Sequence, residues 1–170
     1  MKHKGKLAYY DLSNGSFKAK LIAWLVFILT GSRINHVHLE LTSSGISYFA
    51  VLYKGVRVLH RDSIYKAYGK PVFTQTVIIE DSAIPVELKT RWKTETISSC
   101  VFWHLIGRYI NIPIPHTCGK ITADILRDSG YPIPHNIIEP HKILKEVTNA
   151  NALFIRQGKS WKNNSSQTTS

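Results

Sequence analysis

Apolar positions along the chain recur with two different periods. From Arg33 to Leu41 the residues Asn35, Val37, Leu39 and Leu41 alternate with Ile34, His36, His38 and Glu40. A period of two predicts a strand, here with one mainly polar and one mainly apolar face. Lys6 to Leu12 reads as a shorter strand entered from a basic terminus. Ile46 to Tyr53 and Val56 to Leu59 read as strands around Lys54-Gly55, and Pro71 opens another, Val72 to Glu80. Such runs, bounded by glycine, serine and asparagine, are strand signals. Arg61 to Lys70 is a polar, tyrosine-rich connection.

The helical period appears elsewhere. Ser16 can cap a helix from Phe17 to about Thr30 that Gly31 ends. Val86 to about Ile110 is predicted helical in two pieces. From Thr117 onward Ile121, Ile125 and Leu126 fall at i, i+4 and i+5, with Gly130 as a stop. Glu139-Pro140 then starts a last short helix, His141 to Val147. The whole reads as one mixed helix-and-sheet domain over residues 1–150, followed by a polar tail, 151–170, expected to be mobile.

The most apolar run, Leu21 to Leu29, is too short to cross a bilayer, which takes about 20 residues. It is expected to be a buried core helix. Lys18 and Lys20 before it and Thr-Gly-Ser after it also give it the outline of a signal-peptide core or of a membrane-touching helix. No transmembrane span is expected.

Charge and cysteine content narrow the picture further. With 22 Lys and Arg against 11 Asp and Glu, the formal net charge of +11 suits an anionic partner: nucleic acid, an acidic cell-wall polymer or a membrane surface. The cations are scattered and no nucleic-acid-binding motif stands out, so nucleic acid rests on charge alone. Two cysteines are too few for a disulfide scaffold, which favours a reducing compartment. Cys100, in an apolar helical pattern, is expected to be an inert core thiol. A Cys100–Cys118 disulfide stays open.

Cys118 has the more reactive setting. Pro113-Ile-Pro-His-Thr forces an extended approach, and the helical pattern begins just behind it. Backbone N–H groups and the helix dipole at such a start favour a thiolate. A cysteine nucleophile needs a base, and that base needs an orienting partner. His36, on the polar face of a strand, is the candidate base.

The order of these elements resembles the circularly permuted papain-like proteins, the permuted NlpC/P60 group, which includes YiiX-like and lecithin:retinol acyltransferase-like families and bacteriophage members. Asn35-His36-Val37-His38-Leu39 is similar to the group's histidine strand and maps its base onto His36. Cys118-Gly-Lys-Ile-Thr-Ala-Asp-Ile-Leu126 is similar to its cysteine helix, and Ile138-Glu-Pro-His-Lys-Ile-Leu144 to the stretch that often follows. The resemblance implies an α+β permuted papain-like fold, with a small antiparallel sheet packed on helices. It implies no cofactor and no metal. It also implies a cysteine-dependent amide or ester hydrolase, encoded by a phage and acting on a cell-wall peptide or another acyl substrate. A second histidine ending a later strand maps the third catalytic member onto His60, with Ser47 or Tyr48 as alternatives.

Three other readings compete. A papain-like module without activity could be a structural or binding part of a virion, among other virion proteins. His104, His116, Cys118, His135 and His141 could hold zinc, although only His135 and His141 show a usual spacing. A nucleic-acid binder is the third.

Overall fold

The computed structural model describes residues 1–14, 16–42, 44–51, 55–84, 102, 105–106, 109–110 and 117–156. Five strands form one antiparallel sheet: β1 (Lys2–Tyr10), β2 (His36–Leu41), β3 (Ile46–Val51), β4 (Gly55–His60) and β5 (Phe73–Glu80). Their order across the sheet is β4-β3-β2-β1-β5. Four helices are described: α1 (Phe17–Thr30), α2 (Arg61–Tyr68), α3 (Cys118–Asp128) and α4 (Pro140–Arg156). The chain is therefore α+β, with a small antiparallel sheet packed on helices. The expected helix across Val86–Ile110 (apart from its five described positions), Cys100, His104, His116 and the tail beyond residue 156 lie outside the described residues.

Period-two alternation sorts the sheet into two faces. Leu7, Tyr9, Val37, Leu39, Leu41, Val77 and Ile79 point one way and join Ile121, Ala123, Ile125 and Leu126 of α3 with Ile143, Val147 and Ala150 of α4 in the main core. A fully buried Leu or Ile contributes about 1.5–3 kcal/mol, so this interface holds the fold together. Ala8 and Tyr10 point the other way, against Ile64 of α2, with Leu12, Tyr65 and Tyr68 around them.

Several elements differ from their expected form. β1 begins at Lys2, because the basic terminus pairs with β5, Lys2 opposite Glu80 and His3 opposite Ile79. Arg61 to Tyr68, read as a connection, is helical: Ile64, Tyr65 and Tyr68 make a stripe, and the His60 side chain caps its start by accepting from Asp62 N–H. α4 runs on to Arg156, because Val147 and Ala150 continue the buried stripe begun by Ile143 and Thr148 accepts from Gln75 Nε2 at 3.0 Å.

The largest correction concerns Leu21–Leu29. The helix forms as expected, with Ser16 accepting from Ala19 N–H and Gly31 at φ 70°. It is not a core helix: Ala23 is buried, whereas Leu21, Trp24, Phe27 and Ile28 are exposed. A run apolar on all sides exceeds what one contact face can cover. Among the described residues no helix is long and apolar enough to cross a membrane.

Edge strand β5 is closed by side chains from the turn after α3. Tyr131 Oη accepts from Ile78 N–H at 3.0 Å, and Ser129 Oγ accepts from Glu80 N–H at 3.1 Å. An edge so occupied no longer offers those donors to another chain.

Candidate active site

Thr117 N-caps α3, its hydroxyl accepting from Lys120 N–H at 3.1 Å, while Ile121 N–H bonds Thr117 O. The first-turn donors left over belong to Cys118 and Gly119. These backbone groups, together with that of Val37 on β2, act to lower the Cys118 pKa.

Why Val37 is available follows from strand pairing. Thr42 N–H bonds Lys4 O, and the β1–β2 register places His36, His38 and Glu40 in the same phase. The odd-numbered residues of β2 therefore turn their N–H groups toward β3. The β2–β3 register runs over Leu39↔Tyr48 and Glu40↔Ser47. Val37 lies beyond it, where Cys118 docks.

Gly119 makes the docking possible. A Cβ there would stand 1.7 Å from Ile138 O, so α3 starts pressed against the backbone of the 138 segment. That segment is itself pinned: Glu139 accepts from Ile138 N–H at 3.3 Å and from Lys142 Nζ at 2.8 Å. The half-buried thiol is thus held between β2 and the entry to α4. Burial pushes its pKa up, and the three N–H groups oppose that rise. The resting group is a thiol.

His36 opens β2 immediately after Asn35, whose N–H donates to Tyr10 O at 3.1 Å and whose Oδ1 accepts from Leu12 N–H at 3.0 Å. These two bonds fix where β2 starts. The His36 ring lies on the α2 side of the sheet, with centroid distances of 6.0 Å to Tyr10, 5.9 Å to His38 and 6.4 Å to Tyr68, the last stacked. Burial, and after it the neighbouring His38, lower its pKa from 6.5 to about 3. The structure therefore brings the Cys118 sulfur to the backbone of the residue after His36, while these ring contacts of His36 lie on the sheet face away from α3.

His60 is not brought to either. It faces Ile46 in the β3–β4 register, at the level of Leu41. That is five residues along and two strands across from His36, roughly 19 Å by ordinary strand spacings. It is 54% exposed, pairs with Asp62 at 3.3 Å and caps α2. Ser47 and Tyr48, the alternatives, face Glu40 and Leu39 in the register.

A buried polar pair that the reading by motif passed over lies beside His36. His38 Nε2 donates to Glu40 Oε1 at 3.2 Å, both side chains nearly inaccessible, and Tyr65 Oη donates to Glu40 Oε2 at 3.5 Å. Tyr10 stacks on His38 at 5.1 Å. The signal for it was present in the alternation His36-x-His38-x-Glu40, which puts all three on one face.

Among the described residues no group of three His, Cys, Asp or Glu could hold a metal ion. Cys118 is a free thiol. No protein-family model, characterised protein or solved structure matched the chain.

Proposed function

We propose that the protein is a cysteine-dependent hydrolase of amide or ester bonds, built on the permuted papain-like plan, with Cys118 as nucleophile and His36 as base. The observation that carries this reading is the position of Cys118 as first residue of α3, behind the Thr117 cap, with the backbone N–H groups of the helix start and of Val37 favouring its thiolate. Such donors stabilise negative charge at the reacting centre without reorganising during the step.

The chemistry starts from a neutral pair. Both partners rest neutral, because burial disfavours the imidazolium of His36 and the thiolate of Cys118 alike. His36 can take the thiol proton as the sulfur–carbon bond forms only once its ring has left that buried setting. The leaving alcohol or amine departs with that proton, and water then cleaves the thioester. The transfer therefore requires the His36 ring to turn out of its packing against Tyr10, His38 and Tyr68. The acyl donor is a cell-wall peptide or another acyl compound.

A second reading, a papain-like module that binds without turnover, is favoured by one observation, the packing of the His36 ring against Tyr10 and Tyr68. Stopped-flow hydrolysis of p-nitrophenyl acetate, with mass spectrometry of the acylated chain, separates the two. The hydrolase should show a burst, an acyl adduct on Cys118, loss of both in Cys118→Ala, and a fall of about 10²-fold or more in His36→Ala. Equal rates in wild type and Cys118→Ala would leave the binding module.

A further inference from the structure

The outward face of α1 is a continuous apolar stripe. Phe17, Leu21, Trp24, Phe27 and Ile28 recur at i, i+4, i+7, i+10 and i+11, and at 100° per residue they share one side of the helix. All are exposed, Phe17 at 82% and Trp24 at 61%. The helix has 14 residues, about 21 Å of length, too short to cross a hydrocarbon core of about 30 Å but suited to lying along its surface.

The surroundings of the stripe are cationic. Lys20 is exposed on the same side, Arg33 is exposed just beyond the helix, and the sequence holds no Asp or Glu between Asp11 and Glu40. The protein as a whole carries +11. We propose that α1 is a membrane-docking helix that lies flat in the headgroup boundary of an anionic bilayer, apolar stripe down. Apolar burial and attraction to anionic lipid add together in such helices, and a tryptophan ring suits the boundary because one end is apolar and the other polar. A second copy of the chain is a poorer occupant, since pairing these stripes would set Lys20 and two strongly positive molecules against each other.

The test is co-sedimentation of the full chain with phosphatidylcholine–phosphatidylglycerol vesicles and with phosphatidylcholine vesicles alone. Binding to the mixed vesicles is expected, about tenfold or more weaker on the neutral ones and weakened by salt. The Leu21→Glu/Ile28→Glu variant should lose about tenfold or more, and Lys20→Glu a smaller factor. Both change exposed side chains, and unaltered circular-dichroism melting confirms their fold. Absence of binding to the mixed vesicles would overturn the proposal. So would binding that the double variant leaves unchanged, or lipid-free dimerisation that the variant abolishes.

Discussion

At the scale of single residues, Gly119 is the position where the least chemistry carries the most structure. An alanine methyl there would overlap the Ile138 carbonyl oxygen, a backbone atom that cannot swing aside. Gly119→Ala should destabilise by more than about 3 kcal/mol in urea denaturation, in the range reserved for forced overpacking. Gly31→Ala is the control: its φ of +70° is strained for alanine, but nothing lies within 4 Å of the added methyl. About 1 kcal/mol is expected there. Equal losses would mean that α3 is not pressed on the 138 segment.

His36 makes a second prediction, from its protonation. Folded, its pKa is lowered from 6.5 to about 3. Between those values the unfolded chain binds a proton that the folded chain refuses. This contribution to stability is therefore complete above about pH 6.5 and is lost as pH falls toward about 3. Melting temperatures of wild type should drop across that window, and those of His36→Gln should drop less. Parallel pH profiles for the two proteins would show that the ring is not held neutral by the fold.

At the scale of elements, the cysteine helix depends on its own C-terminal turn. Arg127 Nε donates to Ile133 O at 2.9 Å, while Nη2 reaches Pro134 O at 2.8 Å and Ile137 O at 3.2 Å, and Asp124 lies against the same guanidinium. One side chain thus ties α3 to the loop that leads to Ile138. Arg127→Met should cost about 2–4 kcal/mol, because the carbonyls and Asp124 lose their partner. Alkylation of Cys118 by iodoacetamide should quicken as well, since the clamped loop is what α3 rests on. An unchanged alkylation rate would separate the clamp from the thiol.

The elements also show what could be read from sequence and what could not. The caps of α1 are legible because their chemistry is local, Ser16 and Gly31 bounding it as expected. For α3 only the helical pattern behind Thr117 is, the cap by the Thr117 hydroxyl emerging with the structure. The alternation of His36 through Glu40 marks β2, and the run opened by Pro71 marks β5 to within a residue. α2 escaped because its stripe of Ile64, Tyr65 and Tyr68 is short and set among polar residues. Its capping residue, His60, reads from sequence as a catalytic candidate, since spacing cannot reveal a register that carries it to the far end of the sheet. α1 was legible as a helix but not as an exposed one, because hydrophobicity says what prefers burial and not how much partner surface the fold provides. Of the candidate site, the cysteine at a helix start was readable from the proline approach and the apolar stripe behind it. The nearness of its thiol to the Val37 backbone was not, because it depends on how α3 packs on the sheet.

At the scale of the whole molecule, the sheet order sets the first strand of the chain in the interior. β1 is bonded on one side to β2 and on the other to β5 along its length, from Lys2↔Glu80 to Tyr9↔Phe73. β2, β3 and β4 form a meander of sequence neighbours, whereas β1 and β5 come from distant parts of the chain. During synthesis, residues 2–10 leave the ribosome long before residues 73–80 exist. Until then one flank of that first strand is a bare hydrogen-bonding ladder, and Leu7 and Tyr9 have only part of their eventual cover. Pairing across such a separation is slow, so β1 stays an adhesive strip until β5 has been made, open meanwhile to a chaperone or to another nascent chain.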